Sequence, residues 1–362
     1  MKKLTAIFMV SAMILSLASC GKNEGDKENS GLSSAEKSTS ATEETTKTEE
    51  ETEISTEKET DSPDDKNNSE TPDINDYITV DTPTPALWKA TDPDSGNELY
   101  LMGTIHVVSE EKFSLPNYIM DVYENSSGVA VEYDIRQLEE ISGAQELLQY
   151  TLYTDGTKIS DHISEEAYET GKSCLTDLGM YAGVLDYYMP GLWLNQIEQS
   201  AIMSIKNLSS DGVDSKFIDM AEKDGKEIVS IETLEIQAYA IVGYSDEYAD
   251  YCIRTLPEDL QDIEGLAESL GKLYDLWASG KIDEMEEFSD ESADIPEDLL
   301  DDYEKYNEKI LYSRNKGMAN KAAEFLENGD NYFFMVGAMH FAGSKGVDDL
   351  LEDKGYTVER IY

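Results

Sequence analysis

From about residue 85 the chain alternates short apolar runs with longer stretches whose apolar residues recur at three- and four-residue spacings. ALWKATDPDSGNELYLMG (86–103) reads as two strands around a turn, because Asp92-Pro93-Asp94-Ser95-Gly96 is turn chemistry. A polar helix is expected after Leu115-Pro116, running to about Asn125. SSGVAVEYD then supplies a third strand that ends in Glu132 and Asp134. Residues 135–210 read as helical, with helix-period apolar positions in EEISGAQELLQYTLY and LWLNQIEQSAIMS. GVDSKFIDMAEKDGKEIVSIET predicts a helix, a Gly225-Lys226 turn and a strand over 227–231, ending at Glu232-Thr233. A second, acidic helical stretch spans roughly 234–330, with a short loop at Asp294-Ile295-Pro296. The chain closes with a strand over 331–336, a helix over 346–354 and the strand TVERIY. Strands alternating with helices indicate an α/β layer fold, with α+β as the alternative. The expected architecture is a central, mostly parallel or mixed sheet flanked by helices, with a large helical cap or insertion.

The first eighty residues lack this pattern. MKKLTAIFMVSAMILSLASC (1–20) has a basic start at Lys2 and Lys3 and an apolar core over 4–17 that is too short to span a bilayer. Its end, Leu17-Ala18-Ser19-Cys20, resembles a bacterial lipobox, which implies cleavage before Cys20 and acylation of its sulfur. The bilayer is then a partner through acylated Cys20, and the chain is held at the cell membrane facing outside the cytoplasm. Residues 21–80 are Ser, Thr, Glu, Lys and Asp, with 18 acids against 6 lysines. Such a segment cannot bury enough surface to offset its chain entropy, so a disordered, extended linker is expected there. That leaves 81–362 as the folded domain.

The whole chain carries a formal charge of −49, of which −39 falls on residues 81–362. No basic cluster interrupts it, which excludes nucleic acid as a partner. Beyond Cys20, only Cys174 and Cys252 remain; their spacing matches no metal or redox pattern and allows two thiols or one disulfide.

The chemistry gathers at strand ends. The chain has three histidines, and two of them follow an apolar run and a glycine: Gly103-x-x-His106 and Gly337-x-x-His340. Glu132 and Glu232 also lie just past predicted strands. In open α/β sheets ligands bind outside the carboxyl ends of the strands, so four such residues on parallel neighbours converge. Glycine at 103 and 337 permits a sharp turn or the close approach of another group. Two imidazoles and a carboxylate suffice to hold a divalent cation with an open position for water or a carbonyl. The preferred ligand set is His106, His340 and Glu132, with Glu232 a further ligand or the general base. Arg314 reads as a surface ion pair or, if it faces the cleft, a clamp that orients an acidic group. Asp214 is as readily a helix N-cap as a site residue. His162, in SDHISEEAYE, is read as solvated or capping.

LYLMGTIHV, the strand-end VEYD, DGVDSKFIDMAEKDGKEIVSIET, SRNKGMA and MVGAMHFAGSKGVDDLLEDKGYTVERI resemble, in order, the blocks of the TraB/PrgY/GumN family, over about residues 85–362. The animal Tiki metalloproteases belong to the same superfamily, and the erythromycin-esterase-like and ChaN-like proteins look related. The resemblance implies divalent-metal-dependent peptide cleavage, with manganese or cobalt ahead of zinc, carried on Gly103, His106, Glu132, Gly337 and His340. The family's Glu-Thr block falls on Glu232-Thr233 and its Arg-Asn block on Arg314-Asn315. Two functions follow as expectations. One is a tethered hydrolase acting on peptides outside the cytoplasm, in which Glu132, Glu232 and Arg314 serve catalysis. The other is a non-catalytic protein that sequesters a peptide, a metal or haem at the cell surface.

Overall fold

The computed structural model describes residues 71–362 apart from 107, 139, 293 and 294. The signal segment with Cys20, most of the expected linker and Asp294 of the expected loop lie outside the described residues.

The protein is a mixed α/β fold. Its strands are β1 (Leu87–Thr91), β2 (Glu98–Thr104), β3 (Val108–Ser109), β4 (Gly128–Val131), β5 (Leu208–Ser209), β6 (Glu227–Ser230), β7 (Tyr332–Gly337) and β8 (Thr357–Arg360). Six of them form one sheet in the order β6-β4-β7-β2-β1-β8, and β3 pairs with β5 apart from it. The β6, β4, β7 and β2 neighbours are parallel, while β1 runs antiparallel to both β2 and β8. Burial explains this order. Every residue of β4 is buried, as are Phe333 to Val336 of β7, so these strands take the centre. The half-exposed β6 and β8 take the edges. In register, Thr104 of β2 sits opposite Gly337 of β7, and Val131 of β4 lies between Met335 and Ser230.

Two apolar cores follow. One surrounds the sheet, where Phe217 of the Val213–Asp224 helix meets Phe333 edge-on at 5.4 Å. The other lies within a helical cap built from the Ile141–Thr151, Glu165–Asp177, Pro190–Met203, Leu234–Val242 and Asp246–Leu260 helices. The cap centres on the Pro190–Met203 helix. Pro190 sits in its first turn, where a missing N–H costs nothing, and Trp193 of the same helix is buried.

Several features depart from the sequence reading. The acidic composition predicts a domain boundary at residue 80, yet Ile74 and Ile78 are buried. The Asp275 carboxylate accepts the backbone N–H groups of Thr79 and Val80, each at 3.0 Å. Two isoleucines in a polar stretch are too sparse to register as composition. The β3–β5 pair is too short to show a period. Neither Cys174 nor Cys252 is in a disulfide, and the second is buried. His162 does cap the Ile159–Asp161 turn, and its ring is also held: it stacks on Tyr153 at 4.0 Å, with Asp246 at 3.0 Å from Nδ1 and Thr157 at 2.9 Å from Nε2. No helix among the described residues is long and apolar enough to cross a membrane.

Candidate metal centre at the carboxyl edge of the sheet

The four strand-end residues come from four adjacent parallel strands. Glu232 follows β6, Glu132 follows β4, His340 follows β7 and His106 follows β2. Each glycine of the two motifs has a separate reason. A Cβ on Gly103 would lie 2.9 Å from the Ala338 Cα, so its absence lets the turn that carries His340 pack onto β2. A Cβ on Gly337 would lie 3.2 Å from Glu132 Oε1 and 3.7 Å from His106 Nε2. Gly337 therefore forms the floor of a cradle between the two motifs.

Both imidazoles are oriented from behind. His340 Nδ1 lies 2.5 Å from Asn315 Oδ1, and the Asn315 amide nitrogen donates to the Lys345 carbonyl at 2.8 Å. That pairing fixes the amide orientation, so Nδ1 carries the proton and Nε2 is left as an acceptor. His340 Nε2 faces Glu132 Oε1 at 3.6 Å. His106 Nδ1 lies 3.2 Å from Asp214 Oδ2. Asp214 is not the N-cap: that position is Gly212, and Asp214 occupies the first turn of the Val213–Asp224 helix. The helix start is anchored to β2 where Val213 N–H donates to the Ile105 carbonyl at 2.9 Å. His106 reaches solvent, with its side chain 21 % exposed, against 4 % for His340. Access to the centre is therefore from the His106 side.

Arg314 was expected at the surface or on a substrate; it is buried against both glutamates. Its Nε donates to the two Glu232 oxygens at 3.0 and 3.1 Å. One terminal nitrogen donates to Glu232 Oε2 at 2.8 Å and also to Glu132 Oε2; the other donates to the Ile310 carbonyl at 3.1 Å. Gln237 adds donations to Glu232 Oε2 at 2.5 Å and to Glu132 Oε2 at 3.3 Å. Glu132 Oε1 accepts the Gly337 N–H at 2.6 Å. A π-helical turn over Glu308–Tyr312 immediately precedes the Ser313–Asn328 helix. It sends Arg314 to the glutamates and Asn315 to His340. The sequence reading gave Asn315 and Gln237 no separate role. Gln237 left one signal, as a lone amide in the apolar run LEIQAYAIV.

These contacts set the protonation states. Burial opposes charge on Glu132, but Arg314 and the two histidines outweigh it and hold the carboxyl well below the usual range. Burial raises Glu232, reinforced by Glu132, against the pull of Arg314. Burial and Arg314 push His340 down to about 3, which keeps its imidazole neutral at physiological pH. His106 moves up, because Asp214 outweighs its burial.

The donor set suits a divalent ion in kind and direction. His340 Nδ1 is hydrogen-bonded to an oxygen and His106 Nδ1 has a carboxylate oxygen at ion-pair distance, the usual kind of support for a metal-binding imidazole, and both Nε2 atoms adjoin the Gly337 cradle beside Glu132 Oε1. The set is not drawn in to coordination distance: among the described residues, no group of three or more His, Cys, Asp or Glu is arranged to hold a metal.

A family model described as the TraB/PrgY/gumN family matches residues 86–360. Among curated proteins, metalloprotease TIKI2 of Danio rerio is 23 % identical over 314 residues, covering 75 % of this chain and 60 % of that protein. A metalloprotease TIKI homolog of Amphimedon queenslandica is 23 % identical over 325 residues, covering 76 % and 61 %. The chain thus spans about three fifths of the length of the curated relatives it matches. No solved structure matches it.

Proposed function

Because the chain belongs to the TraB/PrgY/gumN family, we propose that it is a divalent-metal-dependent hydrolase of peptide bonds, tethered outside the cytoplasm through acylated Cys20. The observation that supports this reading is the pair of imidazoles from adjacent strands, each with an oxygen facing its Nδ1 and each presenting Nε2 to one cradle beside Glu132. His106, His340 and Glu132 would hold the ion, with manganese or cobalt ahead of zinc. The ion, when bound, activates water or polarises a carbonyl. Arg314 keeps Glu132 ionised and fixed. Glu232, sharing that guanidinium, assists as a further ligand or as the base. The names of the relatives support metal-dependent proteolysis as the class.

One observation favours a second reading. Arg314 already neutralises both glutamates, and the donors stand apart. That would suit a protein which sequesters a peptide without turnover. A single experiment separates the two: the full-length chain is incubated with a peptide library and manganese, cobalt or zinc, beside His106→Ala and His340→Ala. The hydrolase reading expects metal-dependent cleavage that both variants abolish while their circular dichroism is unchanged. Cleavage that survives in both variants sinks it, and binding with no cleavage under any ion supports sequestration.

A further inference from the structure

Thr104, the last residue of β2, is 2 % exposed, and its hydroxyl has no hydrogen-bond partner among the described residues. A buried hydroxyl left unpaired costs stability, so the position needs an explanation. Its place in the sheet supplies one. Thr104 is in register with Gly337 on the neighbouring parallel strand, and residues in register project from the same face. The Gly337 face is the one that meets Glu132 Oε1 and His106 Nε2. The Thr104 side chain therefore belongs to the wall of the cradle, one strand over from its floor.

Most donors around this cradle are committed elsewhere, and His106 Nε2 is the atom that would hold the ion. Arg314 spends its N–H groups on two glutamates and the Ile310 carbonyl. Gln237 donates to the same two glutamates, and the Gly337 N–H donates to Glu132. The two imidazoles face the cradle through Nε2, and the nitrogen fixed as a donor, His340 Nδ1, points away from it. The glutamates supply acceptors only. Attack on a peptide carbonyl builds negative charge on its oxygen, and a preorganised donor aimed there is worth much of the rate. We propose that the Thr104 hydroxyl is that donor: a further catalytic residue that hydrogen-bonds the carbonyl oxygen of the scissile peptide as it becomes an oxyanion. The inference rests on the hydrolase reading.

Thr104→Val preserves shape and removes the hydroxyl; Thr104→Ser keeps the hydroxyl and removes the methyl. Each full-length variant is assayed for kcat and KM with manganese on a peptide that the wild type cleaves, for manganese affinity by calorimetry, and for thermal midpoint. Thr104→Val is expected to lose about a hundredfold in kcat with KM nearly unchanged, the scale of removing one oxyanion donor. Its manganese affinity should match the wild type, and its midpoint should equal or exceed it, since an unpaired hydroxyl has been replaced by a methyl. Thr104→Ser should stay within about tenfold of wild-type kcat, the lower bound of one acid–base or donor contribution being larger. A Thr104→Val enzyme with wild-type kcat overturns the inference and leaves the hydrolase reading standing. Loss of manganese affinity in Thr104→Val overturns it in favour of a structural role. Wild-type chain that cleaves nothing overturns both.

Discussion

Asn315 Oδ1 sits 2.5 Å from His340 Nδ1, and the two residues come from different elements, one from a helix and one from the turn after β7. Among the described residues, the Asn315 amide is the hydrogen-bond partner that holds Nδ1 of this ring. Asn315→Leu should therefore lower metal affinity by about 10- to 100-fold, as loss of an outer partner of a ligand histidine does. A chelator-competition titration reads this directly, and wild-type affinity in the variant would remove Asn315 from the centre.

Arg314 carries a different kind of risk. Replacing it by Met leaves Glu132 and Glu232 buried together without a cation, and breaking a buried pair this way costs about 3–5 kcal/mol. Urea denaturation at pH 7 measures it. Adding Glu132→Gln and Glu232→Gln to Arg314→Met should recover part of the loss, because the unpaired charges disappear. No recovery would mean that the arginine stabilises through packing alone.

Gly337→Ala tests the cradle without straining the backbone. The φ of Gly337 is −50°, which alanine adopts freely, but the new methyl would press on Glu132 Oε1 and crowd His106 Nε2. Metal affinity is expected to fall by about tenfold or more, the scale of a disturbed ligand support, while the thermal midpoint changes little. A variant that binds metal normally would place the ion elsewhere.

The acidic surface has its own pH signature. Asp348, near Asp349 and Asp283, has its carboxyl pushed up to about 6, first by burial and then by those neighbours. A folded-state value above the unfolded one means the folded chain prefers the proton. The stability this gives is full below the unfolded value near 3.8 and is lost as pH rises through about 6. Asp348→Asn should accordingly raise the thermal midpoint by a few degrees at pH 7.5 and leave it unchanged near pH 3.5. Equal midpoints at both pH values would show that Asp348 is not strained.

Much of this centre was readable from the strand ends. A Gly-x-x-His after an apolar run is unambiguous as text, and two of them locate β2 and β7. The family model and the sheet order agree with that reading of the fold. What the chain hid was everything fixed by tertiary contact. Arg314 looks like any helical arginine until the π turn before it buries the guanidinium between two carboxylates. Asp214 has the spacing of a cap, and its approach to His106 depends on how its helix start packs on the chain after β2, where Val213 N–H donates to the Ile105 carbonyl. Thr104 is invisible as text, since a threonine at a strand end is ordinary. The segment 71–80 reads as linker because its two isoleucines are diluted by polar neighbours.

The pairing of β2 with β7 joins the opening of the domain to its close. Loop closure of that length is slow, and most of the cap has to be synthesised first. A growing chain that has just passed β6 holds His106, Glu132 and Glu232 but neither Arg314 nor His340. Until the Ser313–Asn328 helix arrives the two glutamates lack their cation, and until β7 and the turn after it arrive the first histidine lacks its mate. The centre is thus timed by chain length: no unfinished or proteolytically shortened polypeptide that stops before β7 can carry it.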